Sequence, residues 1–509
     1  MNSASAPASA PRFDPARRRK VTAALILVTA LASFESTVVS TAMPTIIGDL
    51  GGLPLYSWVF SIYLLTATVM MPIYGRLADI YGRRRVLLIA IAVFLIGAVS
   101  CGLARSMPQL IMARAAQGLG AAGLVPIALT VSGDLFSLKE RAKIQGLFSG
   151  VWGFASLVGP LVGAWMTMSF GWRSIFTINI PLGLIALALV WTQMVESRAS
   201  LPDPLDVAGA TSLAAGVTAL LFGVLHEPGS GGLGLPFRAA LLLFAGASLY
   251  LFVRLQVQRE HPLIPPELFR HMRTAAPYLA GVLLGTTIYG VDTFVPLFVQ
   301  GARGGTAGAA GAVVTPLVFL WAVSATIAAR LIVRFGFRRT ARWGALLILA
   351  GFIALIAAAW WNASVPWISA ACALIGAGLG PSSMSQVLGI QNVVSERQRG
   401  VATSLVPFFR TIGGSIGVGA MGGLLAAGLS RRLGPAAETA GRILAAGSQT
   451  GGGAAVAPAA FRVAIERSLL PVFGILGVLA IVNVFVTEHF PSEEEMAPEP
   501  HALETELPG

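Results

Sequence analysis

The sequence predicts an all-α polytopic membrane protein of fourteen transmembrane helices, built as two six-helix halves with two helices inserted between them. Three observations predict it. The 509 residues are 55% hydrophobic and only 11% charged, too apolar for a soluble domain. Apolar runs long enough to cross a bilayer recur along the chain, and in lipid such runs must be helical to satisfy their backbone. Landmarks in the first part of the chain return in the second.

Taken in order, residues 1–20 are small and Pro-rich and end in Arg17-Arg18-Arg19-Lys20. They read as a disordered cytoplasmic tail. The run that follows is too long for a signal-peptide core and has no clear cleavage site. Spans are expected near 21–46, 56–75, 86–105, 108–131, 143–168 and 174–194, forming a first half over 21–195. The runs 206–225 and 238–257 are the inserted pair, within 196–275. The second half, 276–487, holds spans near 276–300, 311–333, 342–361, 366–390, 400–427 and 468–487. Residues 428–467 form a long Gly- and Ala-rich outer loop, and 488–509 an acidic tail. Arg and Lys concentrate in the loops that are cytoplasmic if the N-terminus is inside. Both ends and the 76–85 loop are therefore expected in the cytoplasm, with the protein in the cell (inner) membrane.

Composition excludes several functions. The net charge of +12 sits in short clusters between apolar runs, which argues against nucleic acid. Cys101 and Cys372 fall inside spans and read as small buried hydrophobes. The five histidines lie in loops or the tail. No Cys/His metal spacing, phosphate loop or nucleophile elbow is present, so no cofactor, metal or enzymatic activity is expected.

Gly118, Gly120, Arg141 and Gly159 recur at one constant offset as Gly376, Gly378, Arg399 and Gly417. The segment Gly75-Arg76-Leu77-Ala78-Asp79-Ile80-Tyr81-Gly82-Arg83-Arg84-Arg85 has a weaker echo at 330–339, where Val333 replaces the acid. Parallel repeats of this kind build transporters with a site at the repeat interface.

Charges inside spans are costly and rarely accidental. Glu35 lies about 20 Å deep at helical rise. Burial disfavours its charged form and a nearby cation favours it, so alternating environments would load and release a proton; a permanently paired structural acid is the rival reading. Arg114 enters the fourth span from the other side to a similar depth. It would tune Glu35, or snorkel to the outer surface. Asp292, deep in the ninth span, reads as a second proton or cation site or as the fixed partner of Arg410 in the thirteenth. Gln117, Asn179 and Gln300 could line a polar path or bond between helices, and with Arg410 they are the candidate substrate-cavity residues. Gly159, Pro160 and Gly163 suit close packing and bending.

The chain resembles the major facilitator superfamily, specifically its fourteen-span drug:proton antiporter branch. Gly75 to Arg85 is similar to the superfamily's loop between spans two and three, G-x-L-A-D-x-x-G-R-R. Arg114-Ala115-Ala116-Gln117-Gly118 resembles the fourth-span R-x-x-Q-G. Gly159-Pro160-Leu161-Val162-Gly163 resembles the fifth-span antiporter motif, with Ala155 and Ala164 in place of two glycines. Gly171-Trp172-Arg173, Phe176, Asn179 and Pro181 resemble the approach to span six, and Arg410 to Gly417 the thirteenth span. The branch usually carries Asp where this chain has Glu35. The resemblance implies the major facilitator fold, with Glu35 and Arg114 lining a central cavity. It makes Asp79, with Gly75, Gly82 and Arg83, part of an inner gate, where Asp79 could meet the N-terminal end of the thirteenth helix near Gly400. Arg83, Arg84 and Arg85 read equally as topology anchors. The resemblance also gives Gly159, Pro160 and Gly163 a leak-preventing role. The expected partners are protons, the bilayer and a small hydrophobic or amphipathic compound exported against protons. A periplasmic adaptor is left open. The rival activities are lipid or lipoconjugate export, a membrane-embedded enzyme, and a non-transporting receptor or channel.

Overall fold

The computed structural model describes residues 15–51, 55–195, 204–225, 235–433 and 459–491. Among them every regular element is a helix. α1 runs Pro15–Leu50. Proline suits a helix start because its missing N–H would be unpaired there anyway. The Arg17–Lys20 cluster is therefore helical and corrects the expected tail boundary at residue 20. Its side chains find partners: Arg18 Nη1 lies 3.0 Å from Glu140 Oε1 and Arg17 Nε donates to the Gln193 carbonyl.

α2 (Tyr56–Tyr81) and α3 (Arg83–Gly102) meet at Gly82, which has φ 94° and ψ 146°. A side chain at positive φ is strained, so glycine makes this one-residue reversal possible. α4 (Met107–Leu135) starts after Ser106, whose hydroxyl accepts from Gln109 N. α5 (Leu138–Phe170) opens on a Ser137/Glu140 capping box. It bends by 51° between its segments Lys139–Ser156 and Leu161–Phe170, across Gly159-Pro160. A short α6 (Ser174–Thr177) leads into α7 (Asn179–Gln193).

α8 (Val207–Leu225) and α9 (Leu235–Gln258) pack on each other. Asp206 anchors the pair, accepting from Gly209 N and from Gln256 Nε2 at 2.8 Å. α8 also packs on both α2 and α14, with Trp58 against Phe222 and Gly419 against Val224.

After the short α10 (Glu267–Arg270), α11 (Met272–Leu297) continues into a π-turn at Phe298–Ala302. α12 (Ala307–Trp360) has 54 residues, about 80 Å at helical rise. It is interrupted at Gly336, φ 77° and ψ 175°. Gly336 stands in the 330–339 echo where Gly82 stands in the first copy, and both take positive φ. α13 (Val365–Val393), α14 (Arg399–Leu433) and α15 (Ala459–Thr487) complete the chain. Residues 428–433 and 459–467 of the expected outer loop are thus helical, and 434–458 lie outside the described residues. So do 1–14 and 492–509 of the expected tails.

Twelve helices among the described residues are long and apolar enough to cross a membrane, and the bent α5 pair makes a thirteenth if taken as one span. One large apolar core gathers residues of α1–α5 and α7–α9 with the first turns of α14. A second gathers α11–α15. Two seams join them. α2 crosses α14 where a Cβ on Gly75 would stand 2.8 Å from the Gly400 carbonyl. α5 lies along α12, where Thr326 Oγ1 donates to the Gly146 carbonyl.

Candidate functional site

Four polar residues converge inside the first group of helices. Glu35 on α1, Arg114 and Gln117 on α4 and Asn179 at the start of α7 are each no more than 2% exposed. One Glu35 oxygen pairs with Arg114 Nη1; the other accepts from Asn179 Nδ2 at 2.8 Å. Arg114 Nη1 also reaches Gln117 Oε1 at 2.7 Å, and its Nε donates to the Val59 carbonyl of α2. Its guanidinium lies 4.2 Å from the Tyr63 ring centroid. Cys101 Sγ lies 3.5 Å from Gln117 Oε1, and Gln117 Nε2 is buried with no partner among the described residues. One carboxylate and one guanidinium thus tie α1, α2, α4 and α7 together. Removing one member of such a pair strands a buried charge and costs about 3–5 kcal/mol.

A second network sits where α2 and α4 end and α14 begins. Asp79 Oδ1 accepts from Gly400 N at 2.9 Å and Oδ2 from Val401 N at 2.8 Å. These amides belong to the first turn of α14, whose donors are otherwise unpaired and whose dipole favours an anion. Asp79 also pairs with Arg83 at 2.9 Å. Arg83 Nε pairs with Asp134 at 2.7 Å, and Asp134 with Arg399 at 2.6 Å. Arg83 Nη2 donates to the Glu396 carbonyl, and Gln391 Nε2 to the Leu129 carbonyl. This chain of alternating charges joins α2, α3 and α4 to α13 and α14. Gly75 lies one turn before Asp79 and lets α2 approach α14.

In α5, Gly159 is buried against α1: a Cβ there would strike Thr37, whose hydroxyl donates to the Ala155 carbonyl at 3.2 Å. Gly163 is buried as well, and Pro160 lies within the bend.

The structure does not bring Asp292 and Arg410 together. α11 and α14 are neighbours, and Gly285 packs on the backbone of Arg410. Asp292 lies two turns further along α11, about 10 Å at helical rise. Its side chain is exposed and makes no hydrogen bond or ion pair among the described residues. Arg410 Nη2 instead donates to Gln386 Oε1 of α13 at 3.2 Å. Gln300 lies in the π-turn after α11, half-buried and apart from both networks.

Residues 25–418 match the Major Facilitator Superfamily. The chain belongs to this superfamily. Multidrug transporter protein MdtP of Bacillus subtilis (strain 168) is 33% identical to it over 413 residues, 80% of this chain and 75% of that protein. Multidrug resistance protein 3 of the same organism is 31% identical over 399 residues, 77% of each chain. Among solved structures, the proton:xylose symporter XylE superposes with a TM-score of 0.62 at 15% identity, over 95% of this chain and 99% of that one. That likeness establishes the all-helical fold. The protein is thus a multi-pass membrane transporter of the superfamily.

Two clusters in this superfamily member escape sequence inspection. Asp134 ends α4 and looks like an ordinary helix-terminal acid. Only the fold brings it between Arg83 and Arg399. The second cluster lies at the C-terminal end of α1. Asp49 Oδ2 accepts from Trp172 Nε1 and from Arg173 Nη1, both at 2.9 Å, while Arg173 Nη2 reaches the Ala104 carbonyl. The Trp172 hydrogen bond, then that from Arg173, holds the Asp49 carboxyl below its usual range. The signal in the sequence was Gly171-Trp172-Arg173 itself, whose acidic partner is not marked.

Proposed function

We propose that this transporter exports hydrophobic or amphipathic compounds in exchange for protons, by alternating access, from a cell (inner) membrane with both ends in the cytoplasm. The single observation that carries the reading is the buried Glu35–Arg114 pair with Asn179 on the second carboxylate oxygen. Burial disfavours the charge on such a carboxylate and the Arg114 guanidinium favours it. Protonating it cancels its hold on Arg114, and the stranded guanidinium must find other acceptors, so α1 and α4 shift relative to each other. Deprotonation restores the pair. Each proton moving inward through 100 mV supplies about 2.3 kcal/mol for this cycle.

The Asp79–Arg83–Asp134–Arg399 network serves as the cytoplasmic gate. It is made of contacts between the two groups of helices, so it must break when the central space opens to the cytoplasm. Asp292, exposed on α11, supplies a second acidic group for protons or cationic compounds. Gly159, Pro160 and Gly163 set the bend that closes α5 on α1. Division of α12 at Gly336 and passage of bent α5 as one span give fourteen spans: two six-helix halves and the α8–α9 insertion, which covers the α2–α14 seam. The names of the bacterial relatives support drug export. Adding substrate to the purified protein in weakly buffered detergent solution tests the proposal. Export by antiport requires substrate-dependent proton release; binding without any release would reject coupling.

A further inference from the structure

Arg410 sits in the middle of a membrane helix, twelfth of the 35 residues of α14, yet no carboxylate neutralises it among the described residues. A guanidinium at such depth normally pairs with an acid or serves a ligand. Asp292, the acid on the neighbouring helix, is two turns away. The only hydrogen bond Arg410 makes among the described residues runs from Nη2 to Gln386 Oε1. That bond uses the acceptor end of Gln386 and leaves the donor end idle: among the described residues Gln386 Nε2 is buried with no partner, and so is Arg410 Nε. Gln386 is 0% exposed. The Tyr289 ring of α11 packs against Gly414, one turn beyond Arg410 on α14. Two unsatisfied donors and one full positive charge thus meet between α11, α13 and α14, and among the described residues Gln386 Oε1 is the one acceptor that Arg410 finds.

The corresponding place in the first group of helices is resolved differently. There Arg114 faces Glu35. In the second group the constant repeat offset puts Cys372 at the position of Arg114, so the arginine is not repeated. Arg410 is an independent cation with no acidic partner among the described residues. Orphaned buried donors cost about 1–3 kcal/mol each, a cost an anion would remove. A planar guanidinium fits a carboxylate through two parallel hydrogen bonds. Arg410 is itself only half-buried, which leaves part of its side chain accessible to a ligand.

We propose that Arg410 and Gln386 form an anion subsite that takes the carboxylate of an amphipathic substrate. The subsite rests on the export reading and adds a substrate class to it: compounds that carry a carboxylate beside an apolar body. Those that also carry an amine would extend it toward Asp292, two turns beyond Gly285 along the neighbouring α11.

The test uses a rhodamine free acid and its methyl ester, which differ only in the carboxylate, with the full chain in proteoliposomes. The wild-type protein should favour the acid. Arg410→Gln should lower the acid-to-ester ratio of kcat/KM about tenfold or more, and Arg410→Lys, which keeps charge without the fork, should fall between. A ratio unchanged in Arg410→Gln while the ester is still transported overturns the subsite and leaves export standing. A wild-type protein that moves neither dye counts against export itself, and the subsite is then judged by ligand-induced stabilisation. Sodium benzoate should raise the Tm of the wild-type protein more than sodium chloride at equal ionic strength, and should lose that advantage in Arg410→Gln. Equal shifts with both salts would assign the site to an inorganic anion and overturn the proposal.

Discussion

Asp79→Asn tests the gate by changing one atom. The carboxylate accepts two α14 amides at 2.9 and 2.8 Å and pairs with Arg83 at 2.9 Å. The amide keeps one acceptor oxygen and turns an NH2 toward the other N–H. One charge-assisted bond is lost, worth about 1.5–3 kcal/mol, and the attraction to the α14 terminus falls by up to about 1 kcal/mol. Together these weaken the closed gate by about 3 kcal/mol, or roughly a hundredfold in the closed-to-open ratio. In the proposed cycle substrate binds away from Asp79, so turnover should drop by an order of magnitude or more while Kd changes by about threefold or less. Equilibrium dye binding and proteoliposome transport, measured on the same preparation, separate the two. Unchanged turnover with weakened binding would refute a gate at Asp79.

Other residues give independent checks. Asp292→Asn should impair cationic compounds more than neutral ones, and adding Arg410→Gln should not restore stability, because the two side chains do not pair; rescue in a thermal melt would contradict that. The lowered Asp49 carboxyl contributes stability that is present above the unfolded value near pH ~3.9 and is lost as pH falls through the lower folded value. Asp49→Asn should therefore lower Tm slightly at pH 7, with the gap to wild type closing in acid; a pH-independent gap would assign the effect to packing. With both ends in the cytoplasm, a cysteine at exposed Asn362 should react with an impermeant maleimide from outside, and one at exposed Lys139 should not. Native Cys101 and Cys372 are buried. The opposite pattern would invert the topology.

Much of the helical architecture is legible in the sequence because lipid leaves an apolar segment no other way to satisfy its backbone. Charges at Glu35, Arg114 and Asp292 stand out for the same reason. What they touch is another matter. Asp292 and Arg410 lie on adjacent helices, and only their axial offset shows that they do not meet. Asp134 carries no local mark, since its significance comes from Arg399, 265 positions away. The start of α1 is misjudged because Arg17–Lys20 reads as a solvated run, whereas the fold supplies Glu140 and the Gln193 carbonyl as partners. The break in α12 is written in the sequence, but only the backbone shows that Gly336 repeats the positive φ of Gly82.

In the proposed cycle Glu35 couples substrate movement to protons. Wild-type protein in proteoliposomes, given a pH gradient, should drive substrate against its own gradient. Glu35→Gln keeps the side-chain shape but cannot ionise. It should still exchange labelled for unlabelled substrate across the membrane, yet accumulate none when the pH gradient is imposed. Accumulation by the variant at the wild-type rate would contradict the account.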